Sequence, residues 1–280
     1  IMREKRNTTR NLSYEDIAVL YRTNAQSRAF EGELRKNNIP YRIYGGTSFY
    51  QRKEIKDTLA YFRLAVNPKD NEALLRALTF PSRGIGDTTM KKVTLCAIEN
   101  NQSYLEVMRH PDNFPLDMSG PMRKKISAFA AMIDELSAQS EEMDAFRFAE
   151  MLLKQTGLTT ALMMDRTTEG IDRAQNVQEL LNAIREFVTQ RANEGIDYTP
   201  ITDFLSEVSL MTDQDDNQAD TTNRVTLMTV HAAKGLEFPV VYIVGLEENL
   251  FPSQFCTTQY EIEEERRLCY VAMTRAKKAL

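Results

Sequence analysis

Histidine and cysteine are scarce in this sequence of 280 residues, which holds two of the first and three of the second. Cys96, Cys256 and Cys269 are far apart, odd in number and in no C-x-x-C arrangement. That excludes a zinc site built on paired thiolates and gives no disulfide framework, and a reducing cytoplasm fits. No apolar run approaches the ~18 residues that a membrane-spanning helix needs. The opening IMREKRNTTR has neither the apolar core nor the small-residue cleavage site of a signal peptide. The expectation is a soluble, cytoplasmic chain with no membrane partner. An excess of positive charge is also missing: 35 Lys and Arg stand against 40 Asp and Glu, a net charge of -5. A simple basic coat for nucleic acid is excluded, because phosphate binding needs positive potential, and any such contact must use local patches. No internal repeat or low-complexity tract is visible.

What is there has uneven texture. Hydrophobic residues at 42% and charged residues at 27% are ordinary for a globular protein, and the length suffices for two domains. IAVLY at 17 to 21, a helix-like AQSRAFEGELRKN and the strand candidate PYRIY read as β-α-β. From Lys53 to about Met211 the pattern turns helical. KEIKDTLAYFRLAV, KKISAFAAMIDELSA and NVQELLNAIREFVTQ carry apolar residues at helical spacing, and in the last of these Val177, Leu180, Leu181, Ile184, Phe187 and Val188 line one face. Breaks are expected at NPKD, PSRGIG and HPDNFPLDMSGP. DQDDNQAD reads as a polar acidic loop, after which VTLMTV and VVYIV are continuous apolar runs of the kind that fills a buried parallel sheet. The fold class is α/β, a parallel-sheet domain split by an all-helical insertion.

In open parallel sheets ligands sit at the carboxyl ends of strands, and TVHAAKGLEF, residues 229 to 238, brings Thr229, His231 and Lys234 there. Ala232, Ala233 and Gly235 let backbone approach a ligand closely, Lys234 suits a phosphate and Glu237 a hydroxyl donor. The structural alternative makes His231 a capping or core-edge histidine and Lys234 a solvated cation. EIEEERRLCYVAMTRAKKAL reads as a helix whose acidic start and basic end suit the macrodipole, with Leu268, Tyr270, Val271 and Met273 as apolar contacts. Arg22, Thr23 and Asn24 leave a strand end together, either to meet single-stranded backbone or, for Thr23 or Asn24, to cap a helix. In PSRGIGDTT the turn Gly84, Ile85, Gly86 enters a helix at Thr88 with Arg83 adjacent. Such a turn offers amides to duplex phosphates without reading bases, although taken alone the pattern is more often an ordinary turn.

TVHAAKGLEF followed at this separation by EEERRLCYVAMTRA closely resembles motifs V and VI of the superfamily 1A DNA helicases, the UvrD/PcrA/Rep group. IAVLYRTNAQSR is similar to the family's motif IVa, GGTSFYQRKEIKD to the motif after it, and PSRGIGDTT to the glycine turn of its helical domain. The resemblance covers nearly the whole chain in family order. It implies a RecA-like motor domain, 2A, at residues 1–49 and 220–280, split by a helical domain, 2B, at 50–219. It implies that Arg275 is an arginine finger reaching the γ-phosphate of ATP, and that Glu237, with Gly235 beside it, accepts a hydrogen bond from the ribose. His231 and Lys234 would couple nucleotide to single-stranded DNA. Arg22, Thr23 and Asn24 would lie on that strand, with Arg83, Gly84, Ile85, Gly86 and Thr88 on the duplex at the junction. A fixed guanidinium suits the charge that spreads over a transferring phosphoryl group.

One departure from the family is small: Ala272 stands where glycine is usual. A larger one is the lack of G-x-x-x-x-G-K-[ST] and of an acidic motif for Mg2+. The magnesium ligands and half of the ATP site are therefore expected on a missing N-terminal 1A/1B half. The chain, which ends at Leu280 just past motif VI, is expected to be part of a helicase roughly two to three times as long and to hydrolyse no ATP alone. The resemblance implies 3′→5′ unwinding in repair or replication. A helicase-nuclease of the RecB/AddA type would need an added acidic cluster, and a non-catalytic DNA- or protein-docking module is the reading of a different class.

Overall fold

The computed structural model describes residues 12–217 and 222–280. In chain order these form β1 (Ile17–Tyr21), α1 (Ser27–Lys36), β2 (Tyr41–Ile43), α2 (Lys53–Val66), α3 (Asn71–Thr79), α4 (Asp87–Glu99), α5 (Tyr104–Arg109), α6 (Gly120–Glu142), α7 (Ala145–Gln155), α8 (Leu158–Met164), α9 (Thr168–Asn193) and α10 (Ile201–Asn217). After them come β3 (Val225–Thr229), β4 (Phe238–Ile243), α11 (Gln259–Met273) and β5 (Ala276–Ala279). Two compact units result, Ile1–Arg52 with Met211–Leu280, and Lys53–Leu210.

The first unit is built on a parallel sheet of order β2-β3-β1-β4-β5. Central β1 pairs with β3, Val19 opposite Leu227, and with β4, Val19 opposite Tyr242. All five residues of IAVLY are buried. Ile17, Val19 and Tyr21 join Leu34 and Leu227 in one core cluster, while Ala18 and Leu20 join Met228, Val241 and Ala272 in another. A strand covered on both faces has no solvent side to alternate with, which is why these runs are continuously apolar. Past β2 the chain is tied back to α1 by buried polar groups. Glu31 accepts from the Ser27 hydroxyl at 2.6 Å and from the Phe49 amide at 3.1 Å, and Arg52 donates to Ser27 Oγ at 2.6 Å. Burial, and then the Glu31 charge, push the Tyr21 hydroxyl far above the usual tyrosine range.

Within the second unit α2 is buried along most of its length and meets α7 through Phe62 and Phe148, ring centroids 6.2 Å apart. Val177, Leu180 and Ile184 of α9 are buried, with Phe187 against Phe204 of α10 at 5.7 Å. The breaks expected at NPKD, PSRGIG and HPDNFPLDMSGP separate α2 from α3, α3 from α4 and α5 from α6. Among the described residues no helix is long and apolar enough to cross a membrane.

Two local expectations are corrected. EIEEERRLCYVAMTRAKKAL is not one helix: α11 stops at Met273 and the basic AKKA stretch is the edge strand β5, so the macrodipole gains no basic last turn. Phe238 donates its amide to the Arg275 carbonyl at 2.9 Å and faces Ala276 across the ladder, so the open edge of β4 captures a segment that would otherwise extend the helix. Tyr270 and Met273, at 68% and 48% exposure, point to solvent, and Ala272 carries the contact instead. In DQDDNQAD, Asp213 to Asn217 continue α10 and residues 218–220 lie outside the described ones. With no glycine or proline to stop it, a helix begun at Ile201 absorbs the modest propensity cost of aspartate.

One glycine secures the turn after β1. Gln26 Oε1 accepts from the amides of Arg22 at 2.9 Å and Thr23 at 3.0 Å. Gly245 sits behind it at φ +70, where a Cβ would fall 2.2 Å from Gln26 Nε2. Gly245→Ala is expected to cost about 1–3 kcal/mol in urea unfolding, through left-handed strain and displacement of Gln26. A loss within measurement error would mean that Gln26 swings aside and the cap is dispensable.

Candidate functional site

Arg22 is the first residue past β1 and His231 lies in the turn past β3. Together with Lys234 and the Glu265, Arg267 and Leu268 side of α11 they line a cavity of about 370 Å³. The turn is folded by local bonds, with Thr229 Oγ1 accepting from the Ala232 amide at 3.2 Å and the Ala233 carbonyl from Leu236 at 3.0 Å. Gly235 takes φ +87, and a Cβ there would meet nothing, so the left-handed backbone rather than close approach calls for glycine. His231 is exposed and so is not a core-edge histidine. The other histidine, His110, is exposed past the end of α5 and stands 3.9 Å from Glu106.

Charge around this cavity is unevenly paired. Arg22 is held by Glu265, with Nε 3.0 Å from each carboxylate oxygen and Nη2 2.8 Å from Oε1. Arg267 pairs with Glu264 one turn away. Lys234 is exposed and has no carboxylate partner among the described residues. Each acid being matched to an arginine, the lysine leaves the cavity net positive, which favours an anionic ligand.

Arg275, Glu237 and Gly235 do not line this cavity. Arg275 follows α11 and is fixed by two carbonyls and a hydroxyl: Nε donates to Val271 O at 3.1 Å, Nη1 to Leu236 O at 3.2 Å, and Nη2 to Thr274 Oγ1 at 3.0 Å. One hydrogen on each terminal nitrogen remains. Glu237 is half-exposed and lies 3.5 Å from Lys277. Thr23 is the N-cap of a short 3-10 turn, Asn24–Gln26.

In the helical unit the turn before α4 has a different character from the one expected. Arg83 points inward, its Nη2 donating to Tyr61 OH at 3.1 Å and to Thr156 O at 2.9 Å, with the guanidinium 5.3 Å from the Phe129 ring centroid. Ile85 is buried and anchors the turn, and Gly86 is the N-cap of α4. Gly84, at φ +66, is exposed, and a Cβ there would lie 2.9 Å from Lys125 Nζ. Thr88 is exposed in the first turn. A phosphate at this turn would meet amides and the Lys125 ammonium before it met Arg83.

The model of the UvrD-like helicase C-terminal domain matches residues 1–280. The chain belongs to this family. Similar curated proteins include the ATP-dependent DNA helicase PcrA of Staphylococcus aureus (strain Mu50), 38% identical over 283 residues and covering 100% of the chain. PcrA of Staphylococcus epidermidis (strain ATCC 12228) is 38% identical over 270 residues and covers 95%. The chain spans 37% and 36% of their lengths, a little over a third.

In this UvrD-like C-terminal domain, motif reading found Arg22, His231 and Lys234, which one cavity brings together, and passed over Glu264, Glu265 and Arg267. A signal for Glu265 was present. It falls on the stripe Glu265, Leu268, Ala272, at i, i+3 and i+7, where an acid among the inward positions of a helix calls for a partner. Arg83→Ala is expected to lower stability by about 2–4 kcal/mol, since the change leaves the Tyr61 hydroxyl and Thr156 carbonyl without their charged donor. Arg83→Lys should recover less than half of that loss, because an ammonium reproduces neither the fork nor the stacking. A loss in Arg83→Ala below about 0.5 kcal/mol, the level of an ordinary surface substitution, would return the guanidinium to the surface.

Proposed function

We propose that the chain is the second motor half of an ATP-dependent 3′→5′ DNA helicase: a RecA-like 2A domain split by a helical 2B domain, acting with an N-terminal 1A/1B half of a longer protein. What carries the reading is the net-positive cavity at the carboxyl ends of β1 and β3, in a chain whose whole length matches the UvrD-like C-terminal family. Single-stranded phosphodiesters would meet Arg22, His231 and Lys234, with Thr23 and Asn24 beside them. The duplex would rest on the amides of Gly84, Ile85, Gly86 and Thr88, with Lys125 adding positive charge and Arg83 holding the turn from within.

In this reading Arg275 acts on the nucleotide. Backbone carbonyls hold its guanidinium, so the remaining hydrogens are aimed before a phosphoryl group arrives, and no reorganisation is needed as charge develops. Glu237 would exchange Lys277 for the ribose hydroxyl, the positive φ of Gly235 setting the turn that presents it. Magnesium would be held by the N-terminal half. Among the described residues no group of three or more His, Cys, Asp or Glu side chains is arranged to hold a metal ion. The chain's own contribution is then to fix a cation and to change the path of its strand-end turns as the two motor halves close.

An arginine finger is worth roughly 10³ to 10⁵ in kcat in phosphoryl-transfer systems. Arg275→Lys in the longer protein is expected to lower kcat at least about tenfold to a hundredfold, with single-strand affinity nearly unchanged. Steady-state ATPase at saturating single-stranded DNA, beside a DNA titration at fixed salt, checks it. An unchanged kcat, or a loss confined to DNA binding, would make Arg275 a structural cation. His231→Ala should reduce the stimulation of ATPase by DNA more than it reduces the basal rate. Equal reduction of both in a normally folded variant would remove His231 from the coupling path.

A further inference from the structure

We infer that Glu265 is the positioning residue for Arg22, docking one edge of its guanidinium so that the Nη1 side faces the cavity for a phosphate-bearing anion. The inference rests on the reading that this cavity receives phosphate groups. It starts from the geometry of the pair. Glu265 takes Nε and Nη2, while Nη1 has no acceptor among the described residues. An arginine at a strand end would otherwise spread over many rotamers, each bond it makes costing the ordering of a long side chain. Here the anchor is itself immobile. Glu265 is 7% exposed on the inward stripe of α11, and its Oε2 also accepts from the Ser253 amide at 3.4 Å. The pair joins positions 243 residues apart, so the side chain entering from β1 is aimed by the helix that leads to Arg275.

A carboxylate is needed for this task. Two oxygens accept the Nε and Nη2 hydrogens together, whereas glutamine would turn an amino group against one of them. Because the acid consumes one edge only, the guanidinium keeps the donors that a phosphate oxygen takes. A purely structural role, filling the space beneath the Ser253 loop, would make no use of Arg22 at all.

The two roles separate in a double-mutant cycle on the 280-residue chain, read by side-chain ¹⁵N resonances of Arg22 and by titration at fixed salt. The probes are inorganic tripolyphosphate and a short oligodeoxythymidylate, which distinguish a nucleotide-like polyphosphate from a DNA phosphodiester. In the wild-type chain one of the probes should shift the Arg22 signals. Glu265→Gln should weaken that probe's binding about tenfold, and Glu265→Asp should weaken it less. In the Arg22→Ala background Glu265→Gln should cause no further loss of affinity, because a positioning residue with nothing to position has no effect.

Overturning results are equally definite. A Glu265→Gln chain that binds the probe as tightly as wild type, or more tightly, would mean that the acid does not aim Arg22. A further loss in the Arg22→Ala background would mean that Glu265 acts on the fold. If neither probe shifts Arg22 in the wild-type chain, the open edge is no phosphate contact and the inference falls, while the helicase reading is judged separately by ATP turnover of the longer protein.

Discussion

Strand β1 has to be flanked on both edges by segments that follow it by some two hundred residues, and most of the first unit is a consequence of that. Once Val19 lies between Leu227 and Tyr242, the carboxyl ends of β1 and β3 emerge side by side on one rim of the sheet. Arg22 and His231 thereby become neighbours although nothing in their local sequence links them. The connection from β4 has to return across the sheet, so α11 is laid over the face holding Ala18 and Leu20 and its Ala272 completes that core. Ala272, the departure from the usual family glycine, therefore fills space with its methyl group, and it packs at the root of the segment that leads to Arg275.

Charged side chains drawn into the interior are met by hydrogen-bond donors, acceptors or a counter-ion, as the cost of desolvation demands. Glu31 takes a hydroxyl and an amide, Arg83 a hydroxyl and a carbonyl, and Glu265 an arginine. Asp57 in α2 lies 2.9 Å from Arg76, and burial still pushes its carboxyl above the usual aspartate range against the pull of that arginine. Lys234 differs from these in being exposed, at the cavity and without a carboxylate among the described residues. In a chain otherwise slightly acidic, that unbalanced charge among the cavity's lining residues favours an anion there.

What was legible beforehand depended on how local its cause was. IAVLY, VTLMTV and VVYIV declare strands buried on both faces because their own composition records the absence of solvent. The α9 stripe and the proline-bearing breaks are likewise written within a few residues. AKKA was misread because its strand state is imposed by the open edge of β4, whose sequence lies almost forty residues upstream. Arg83 could not be placed for a similar reason: Tyr61 and Thr156, which draw it inward, are distant along the chain. Glu265 was legible in principle from its place on the inward stripe, but EEERR reads first as a solvated run and its charge masked its orientation.

The separation of β1 from its partners also has a meaning in time. Residues leave a ribosome at about 5–20 per second, and the 204 positions from Tyr21 to Val225 (225 minus 21) correspond to roughly 10–40 s of synthesis at that pace. Throughout that interval the nascent chain carries its most apolar strand with neither edge covered, while the helices of the insertion find partners nearby in sequence and close upon themselves. Unpaired strand edges are the surfaces that holding chaperones shield and that aggregates recruit. Codon choice and chaperone supply during translation of the insertion therefore bear on the yield of folded sheet.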